Sequence, residues 1–290
     1  MKTVVTHSGG FHSDDVFAVA AFQLLLGEES MTVVRTRDDE VIVGADYVVD
    51  VGGVYDHDTK RYDHHQNGSP VRENGIPYAG FGLMWKHYGE EIAGSAQAAE
   101  TVDVRLAQPI DAGDNGVSLY TLHGETAPFE LYNIIGSHAP VWGSDSSIDE
   151  AFFEAVKTAR GVLERCILQA QAGVAAAVYA KTCYEAASDK SVVVCDRAIG
   201  TGFFVEYPEV QVVVAPAESP TEDTWKAKCV AVEHRNFATR VSFPEAWAGL
   251  RDNELATVSG IEDAVFTHKA RFLFVAKSQE SAIKAARLAK

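Results

Sequence analysis

The 290-residue sequence has only four cysteines, Cys166, Cys183, Cys195 and Cys229, scattered with no C-x-x-C pair. That spacing excludes a disulfide framework and a thiolate zinc site, and it reads as the reduced thiols of a cytoplasmic protein. There is no apolar run long enough to cross a bilayer. The N-terminus "MKTVVTHSGG" lacks the long apolar stretch of a secretory signal and the Arg/Ser-rich character of a transit peptide. Internal repeats and low-complexity segments are missing, so the chain is no solenoid, collagen or disordered tail. Basic residues are in deficit as well. The formal net charge is −16, which opposes tight binding of a long polyanion.

The deficit is uneven. Lys226–Lys290 carries 11 basic residues against 7 acidic ones, leaving 14 basic against 34 acidic in the rest. Such a split is either ordinary surface variation or an acidic part that holds cations beside a basic part that meets an anionic substrate.

What the sequence does have is alternating strand-like and helix-like segments. "KTVVT" at 2–6 reads as a buried strand, followed by the loop "HSGGFHSD" and a helical pattern over 15–26 that Gly27 ends. Two further short apolar strands are expected at 31–36 and 46–53. Strand, helix, strand in this order predicts parallel pairing in an α/β sheet. Helical patterns cover 78–94, despite its glycines, and 96–107; Pro109 and Gly113 disturb the next stretch of chain. A long Ala-rich amphipathic stretch from Ser147 to Ala187 predicts one or two helices. Beyond it come strand-like runs at 191–196, 210–216 and 224–232, then "DAVFTHK", "RFLFVAK" and a closing helix. The expected fold is α/β in two domains: 1–185, a parallel sheet with helices on both faces and a long helical connector, and 186–290, smaller and also α/β.

Imidazoles and carboxylates collect at the expected strand ends. His7 follows the first strand, and His12 and Asp14 continue its loop. Asp50 ends "YVVD". Asp63, His64 and His65 stand side by side in "KRYDHHQ", and Asp111 and Asp114 lie one helical turn apart in "IDAGDNG". Singly, each has an ordinary reading: a hydrogen-bonded strand-end histidine, an acidic helix start, a turn aspartate. Together they are too many ligands for one ion. Mixed nitrogen and oxygen donors without thiolate point to two Mn²⁺, with Mg²⁺, Fe²⁺, Co²⁺ or Zn²⁺ as competitors. Two such ions about 4 Å apart, bridged by a carboxylate and a water, activate that water and clamp a phosphate. One of the paired histidines can then bind metal while the other faces substrate.

The motifs "THSGGFHSDD", "VVDVGGVYD", "RYDHHQ", "AGFGLMWKHYG" and "IDAGDNG", with "WAGLRDNELATVSGI" and "FTH" in the tail, resemble the DHH phosphoesterase superfamily. More closely they resemble the melanocyte proliferating gene (MYG) family of metal-dependent hydrolases, some described as exonucleases. The resemblance runs nearly end to end. It implies a DHH-type N-terminal domain and metal ligands at His7, His12 and Asp14, with a histidine standing in for one of the superfamily's aspartates. It further implies Asp50 as the bridging ligand, His64 as a ligand and His65 as the substrate-phosphate contact. The fourth-motif aspartate is Asp111 or Asp114, with Asp111 preferred, and Asp63 is kept among the candidate ligands. The superfamily's glycine-rich substrate loop has no glycine pair here. His268, Lys269 and Arg271 are candidates to replace it, with Arg240 and Arg251 as further ones. The expected activity is phosphodiester hydrolysis at the end of an oligonucleotide, RNA first. The alternatives are a hydrolase of a small phosphoanhydride or dinucleotide, and a metal-holding scaffold with little turnover.

Overall fold

The computed structural model describes residues 1–218, 223–234 and 236–290. They form two compact units, Met1–Val174 and Ala175–Lys290. The division falls inside a long helix, short of the expected boundary near residue 185.

The first unit opens with β1 (Lys2–Thr6), α1 (Ser13–Leu26), β2 (Met31–Arg35), α2 (Asp39–Gly44) and β3 (Tyr47–Val49). A hairpin of β4 (Tyr55–Asp56) and β5 (Arg61–Tyr62) follows, then α3 (Gly80–Ala93), α4 (Ala96–Val102), α5 (Gln108–Asp114) and α6 (Leu131–Gly136). Its sheet has the order β2-β1-β3-β5-β4, parallel except for β4. The chain goes from β1 to β2 on one side and returns to β3 on the other. The crevice between β1 and β3 is therefore a topological switch point, where ligands bind at the carboxyl ends of strands. Val4 pairs with Tyr47, and Val49 with Tyr62. Continuing that register puts His7, Asp50 and Asp63 at one level across three neighbouring strands.

One face of the sheet carries most of the core. Helix α1 is buried from Ser13 through Phe22 and almost wholly apolar beyond Asp15, as expected of a helix inside a core rather than on a surface. Phe17, Phe22 and Phe81 are fully buried there, each worth about 1.5–3 kcal/mol of apolar burial. The opposite face, Val5 and Val48, is covered by Ile42 of α2. Asp38 caps α2, accepting from the Glu40 and Val41 amides, and this short helix does not show in the hydrophobic pattern. The disturbance expected around Pro109 takes the form of a change of helix type. A π-helical turn, Asp103–Ala107, precedes it, and α5 starts with the proline in its first turn, where a missing N–H costs little.

Helix α7 (Ile148–Ala186) is a single 39-residue helix. In the first unit its N-terminal part buries Phe152, Ala155, Ala159 and Leu163 against the core. The second unit contains β6 (Val192–Val194), β7 (Val212–Pro216), β8 (Trp225–Cys229), α8 (Asp252–Ser259), β9 (Ala264–Thr267), β10 (Leu273–Ala276) and α9 (Gln279–Ala286). The order is β6-β7-β8-β10-β9, with only β6–β7 parallel. Helices α8 and α9 pack on one face through Leu255, Ala282 and Ala285. The end of α7 covers the other face through Ala180. All four cysteines are free. Among the described residues, no helix is long and apolar enough to cross a membrane.

Candidate metal centre

The strand ends converge as the register requires. His7 Nε2 lies 3.2 Å from Asp50 Oδ2 and 3.3 Å from Asp15 Oδ2. The other oxygen of Asp50, Oδ1, lies 3.3 Å from His64 Nε2. His64 Nε2 is also 3.1 Å from Asp114 Oδ2 and 3.9 Å from Asp14 Oδ2. His12 Nδ1 stands 3.7 Å from Asp114 Oδ1 at the solvent edge. Three sets of potential ligand atoms, each within 4.8 Å, result: His7–Asp15–Asp50, Asp50–His64–His65 and His12–Asp14–Asp114. Asp50 belongs to two of them and turns one oxygen toward each.

Local structure holds these groups. Asp50 sits just past β3 with φ +55°, a left-handed conformation that aspartate tolerates better than most residues. The His7 Nδ1 lies 3.2 Å from the Ser8 carbonyl; donation there leaves Nε2 to face the carboxylates. Asp15 Oδ1 accepts from the His12 amide at 2.8 Å, capping α1, while Oδ2 faces His7. The Gly80 amide, at the start of α3, donates to Asp14 Oδ2 at 3.2 Å. A Cβ on Gly80 would come within 3.0 Å of Asp50 Cβ and 3.3 Å of Asp14 Oδ2. This explains one of the glycines in an otherwise helical stretch.

The electrostatics suit cations. Asp14, Asp15 and Asp50 are buried, and Asp14 Oδ1, Asp15 Oδ2, Asp50 Oδ1 and His64 Nε2 have no aligned hydrogen-bond partner. Buried polar atoms left this way are costly unless something else satisfies them. Burial, then the carboxylates of Asp50, Asp114 and Asp15, hold Asp14 well above the usual carboxylate range. Burial likewise lifts Asp15 to about 7, against the pull of His7. Burial would raise Asp50 too, but His64 and His7 hold it at about 2. Burial opposes the charge on His64, yet Asp114 and Asp50 carry it up to about 10. In protons alone the cluster balances its excess of carboxylates only by protonating them. Divalent cations balance it directly, and the imidazole–carboxylate donor set suits them.

Two expected ligands lie outside these sets. Asp63 Oδ1 accepts from the His64 amide at 2.7 Å and lies 2.7 Å from His65 Nδ1; Oδ2 accepts from the Gly53 amide at 2.5 Å. Its oxygens are occupied in shaping the loop and orienting His65, whose side chain is 63% exposed with Nε2 free. Asp111, the preferred fourth-motif residue, pairs with Arg72 Nη1 at 2.7 Å and accepts from the Gly82 amide at 3.0 Å. Asp114, one turn later, is the one that reaches the cluster. Asp15 was missed because an acidic doublet at a helix start is ordinary dipole compensation. Only the tertiary position of His7 gives it a second meaning.

In the second unit, Arg240 donates to the carbonyls of Val205, Tyr207 and Val210 at 2.6–2.7 Å. Its guanidinium therefore ties loops together. Arg251 stacks on Phe266 with 4.3 Å to the ring centroid. His268, Lys269 and Arg271 form the turn between β9 and β10. The Arg271 amide donates to the His268 carbonyl at 2.7 Å. Arg271 itself takes φ +61°, the conformation a glycine would otherwise supply in such a turn.

The family model MYG1_exonuc, described as "Uncharacterised protein family (UPF0160)", matches residues 3–289. A MYG1 protein of Schizosaccharomyces pombe is 28% identical over 99% of this chain and 96% of its own length. The MYG1 exonuclease of Homo sapiens is 28% identical over 97% of this chain and 84% of its own. A solved pGpG-specific phosphodiesterase from Vibrio cholerae aligns over 99% of this chain and 98% of its own. Its TM-score is 0.36 at 14% identity, too distant a likeness to bear on function.

Proposed function

The chain belongs to the MYG1_exonuc family, and from that premise we propose that it is a metal-dependent phosphoesterase of the DHH type, acting as an exonuclease on short oligonucleotides, RNA first. The observation that carries this reading is the division of Asp50 between His7 and His64, one oxygen to each. A carboxylate so placed is built to bridge two cations. His7, Asp15 and Asp50 would hold one ion. Asp14, His64 and Asp114 would hold the other, with His12 at its edge and Asp50 between them. Mn²⁺ fits the donors best. Divalent ions there supply a nucleophilic water at neutral pH and charge neutralisation for the phosphate.

The protein's own groups do the remainder. Asp63 accepts from His65 Nδ1 and fixes the ring, so that Nε2 of the charged imidazole donates to a phosphate oxygen or passes a proton to the leaving oxygen. The Gly80 amide steadies the charge of Asp14. Burial of the carboxylates keeps bulk water from competing for the ions. The free thiols suit a reducing, cytoplasmic setting.

Assay of the chelator-stripped, Mn²⁺-reloaded protein on short RNA, short DNA, cyclic dinucleotides and pyrophosphate tests the reading. Cleavage of the short RNA in preference to pyrophosphate, abolished by chelator, is the expected outcome. Stable Mn²⁺ binding without turnover of any substrate would leave a metal-holding scaffold instead.

A further inference from the structure

A cleft of about 650 Å³ opens at the edge of the metal cluster, and His12 and Asp114 belong to both. The π-helical turn before α5 brings Arg105 and Leu106 to its wall. The loop after α5 contributes Tyr120, and α6 contributes Tyr132. These tyrosines are 40% and 57% exposed, so core packing does not explain their placement. The turn that carries Arg105 is anchored, because Asp103 accepts from Arg72 at 2.8 Å and from Gln108 at 2.7 Å. A π-turn inside an α-helical run is uncommon and recurs at functional sites.

The cleft is far larger than a phosphate or pyrophosphate requires and lies within the range of small-molecule sites, roughly 300–1,000 Å³. Among the described residues, Arg105 is the one guanidinium on a wall that is otherwise largely aromatic and aliphatic, and that wall offers stacking faces. The net charge of −16 weakens long-range attraction for a polyanion. Stacking on its bases would add to the affinity that the metal centre gives the phosphate of a nucleotide substrate.

We propose that this cleft seats the nucleobase of the nucleotide whose phosphate lies at the His12–Asp14–Asp114 end of the cluster, with Tyr120 and Tyr132 as its stacking surfaces and Arg105 beside the flanking phosphate. This rests on the phosphoesterase reading and narrows its substrate class to short, base-bearing phosphodiesters. Loss of one stacking ring weakens base binding by roughly five- to a hundredfold.

The test compares kcat/KM of the Mn²⁺-loaded protein on a 5′-phosphorylated dinucleotide and on the same diester with both bases replaced by abasic tetrahydrofuran. The intact protein favours the base-bearing substrate by at least tenfold. Tyr120→Ala and Tyr132→Ala shrink that ratio towards one, with the loss carried in KM, and Tyr120→Phe and Tyr132→Phe restore it. Equal turnover of the two substrates by the intact protein, or equal losses on both in the variants, overturns the inference. If neither diester is cleaved, the phosphoesterase reading fails by itself. Calorimetric titration with adenosine monophosphate against ribose 5-phosphate then decides the cleft: preference for the nucleotide, lost in Tyr132→Ala, supports it, and no preference overturns it.

Discussion

The Arg72 guanidinium lies 2.7 Å from the buried carboxylate of Asp111, and this pair stands apart from the ligand sets that Asp114 joins one helical turn later. The two aspartates should therefore fail differently. Asp111→Ala removes one of the two carboxylates that pair with the buried Arg72, which keeps Asp103, and should cost about 1–3 kcal/mol of stability, while metal affinity of the folded fraction stays near normal. Asp114→Asn should keep the fold and lose metal affinity at least tenfold. Urea unfolding and metal titration of both variants check this, and the reverse pattern would restore Asp111 as the ligand.

The glycines of α3 separate in the same way. A Cβ on Gly82 would fall 1.7 Å from Asp111 Oδ2, and Asp111 is too tightly held to give way. Gly82→Ala should therefore cost about 3 kcal/mol, the upper range for overpacking. At Gly80 the closest approach is 3.0 Å, to Asp50 Cβ. Gly80→Ala should fold and show its effect as weakened metal binding. Thermal melts with and without Mn²⁺ distinguish the two.

His65 and Asp63 act in series. His65→Ala should bind metal normally and lose turnover roughly 10²- to 10⁴-fold, the usual span for a positioned acid–base group. Asp63→Ala removes the acceptor for three backbone amides and the His65 ring, so it should lower both metal affinity and turnover. Normal turnover in His65→Ala would remove it from the reaction.

The first unit should also be acid-labile for a reason remote from the metals. The rings of His57 and His87 stack with centroids 3.7 Å apart. Burial, then the neighbouring charges of His57 and Lys86, hold His87 at about 4. Its pKa is depressed on folding, so the unfolded chain binds the proton first. That part of the stability is present above about pH 6.5 and lost as pH falls towards 4. His87→Gln should show a smaller drop in urea midpoint over this window, and parallel curves would contradict the assignment.

Much of the fold and of the candidate site is legible in the sequence. Short β-branched runs ending in His7 and Asp50 mark strand termini, and strand–helix–strand order marks a parallel sheet. The adjacency of β1, β3 and β5 is not written in any local pattern, yet it alone sets His7, Asp50 and Asp63 at one level. Asp111 and Asp114 share a helical face, and only Arg72, 39 residues before Asp111, tells them apart. The three carbonyl contacts of Arg240 are equally silent in the sequence, because a basic side chain reads the same whether it meets a ligand or its own chain.

The central claim is a two-ion centre bridged by Asp50, and the most direct test is calorimetric titration of the chelator-stripped protein with Mn²⁺. Two ions per chain are expected, with Asp50→Asn losing both high-affinity sites together because its carboxylate serves each. A stoichiometry below two in the intact protein, or Asp50→Asn retaining both ions at unchanged affinity, would contradict it.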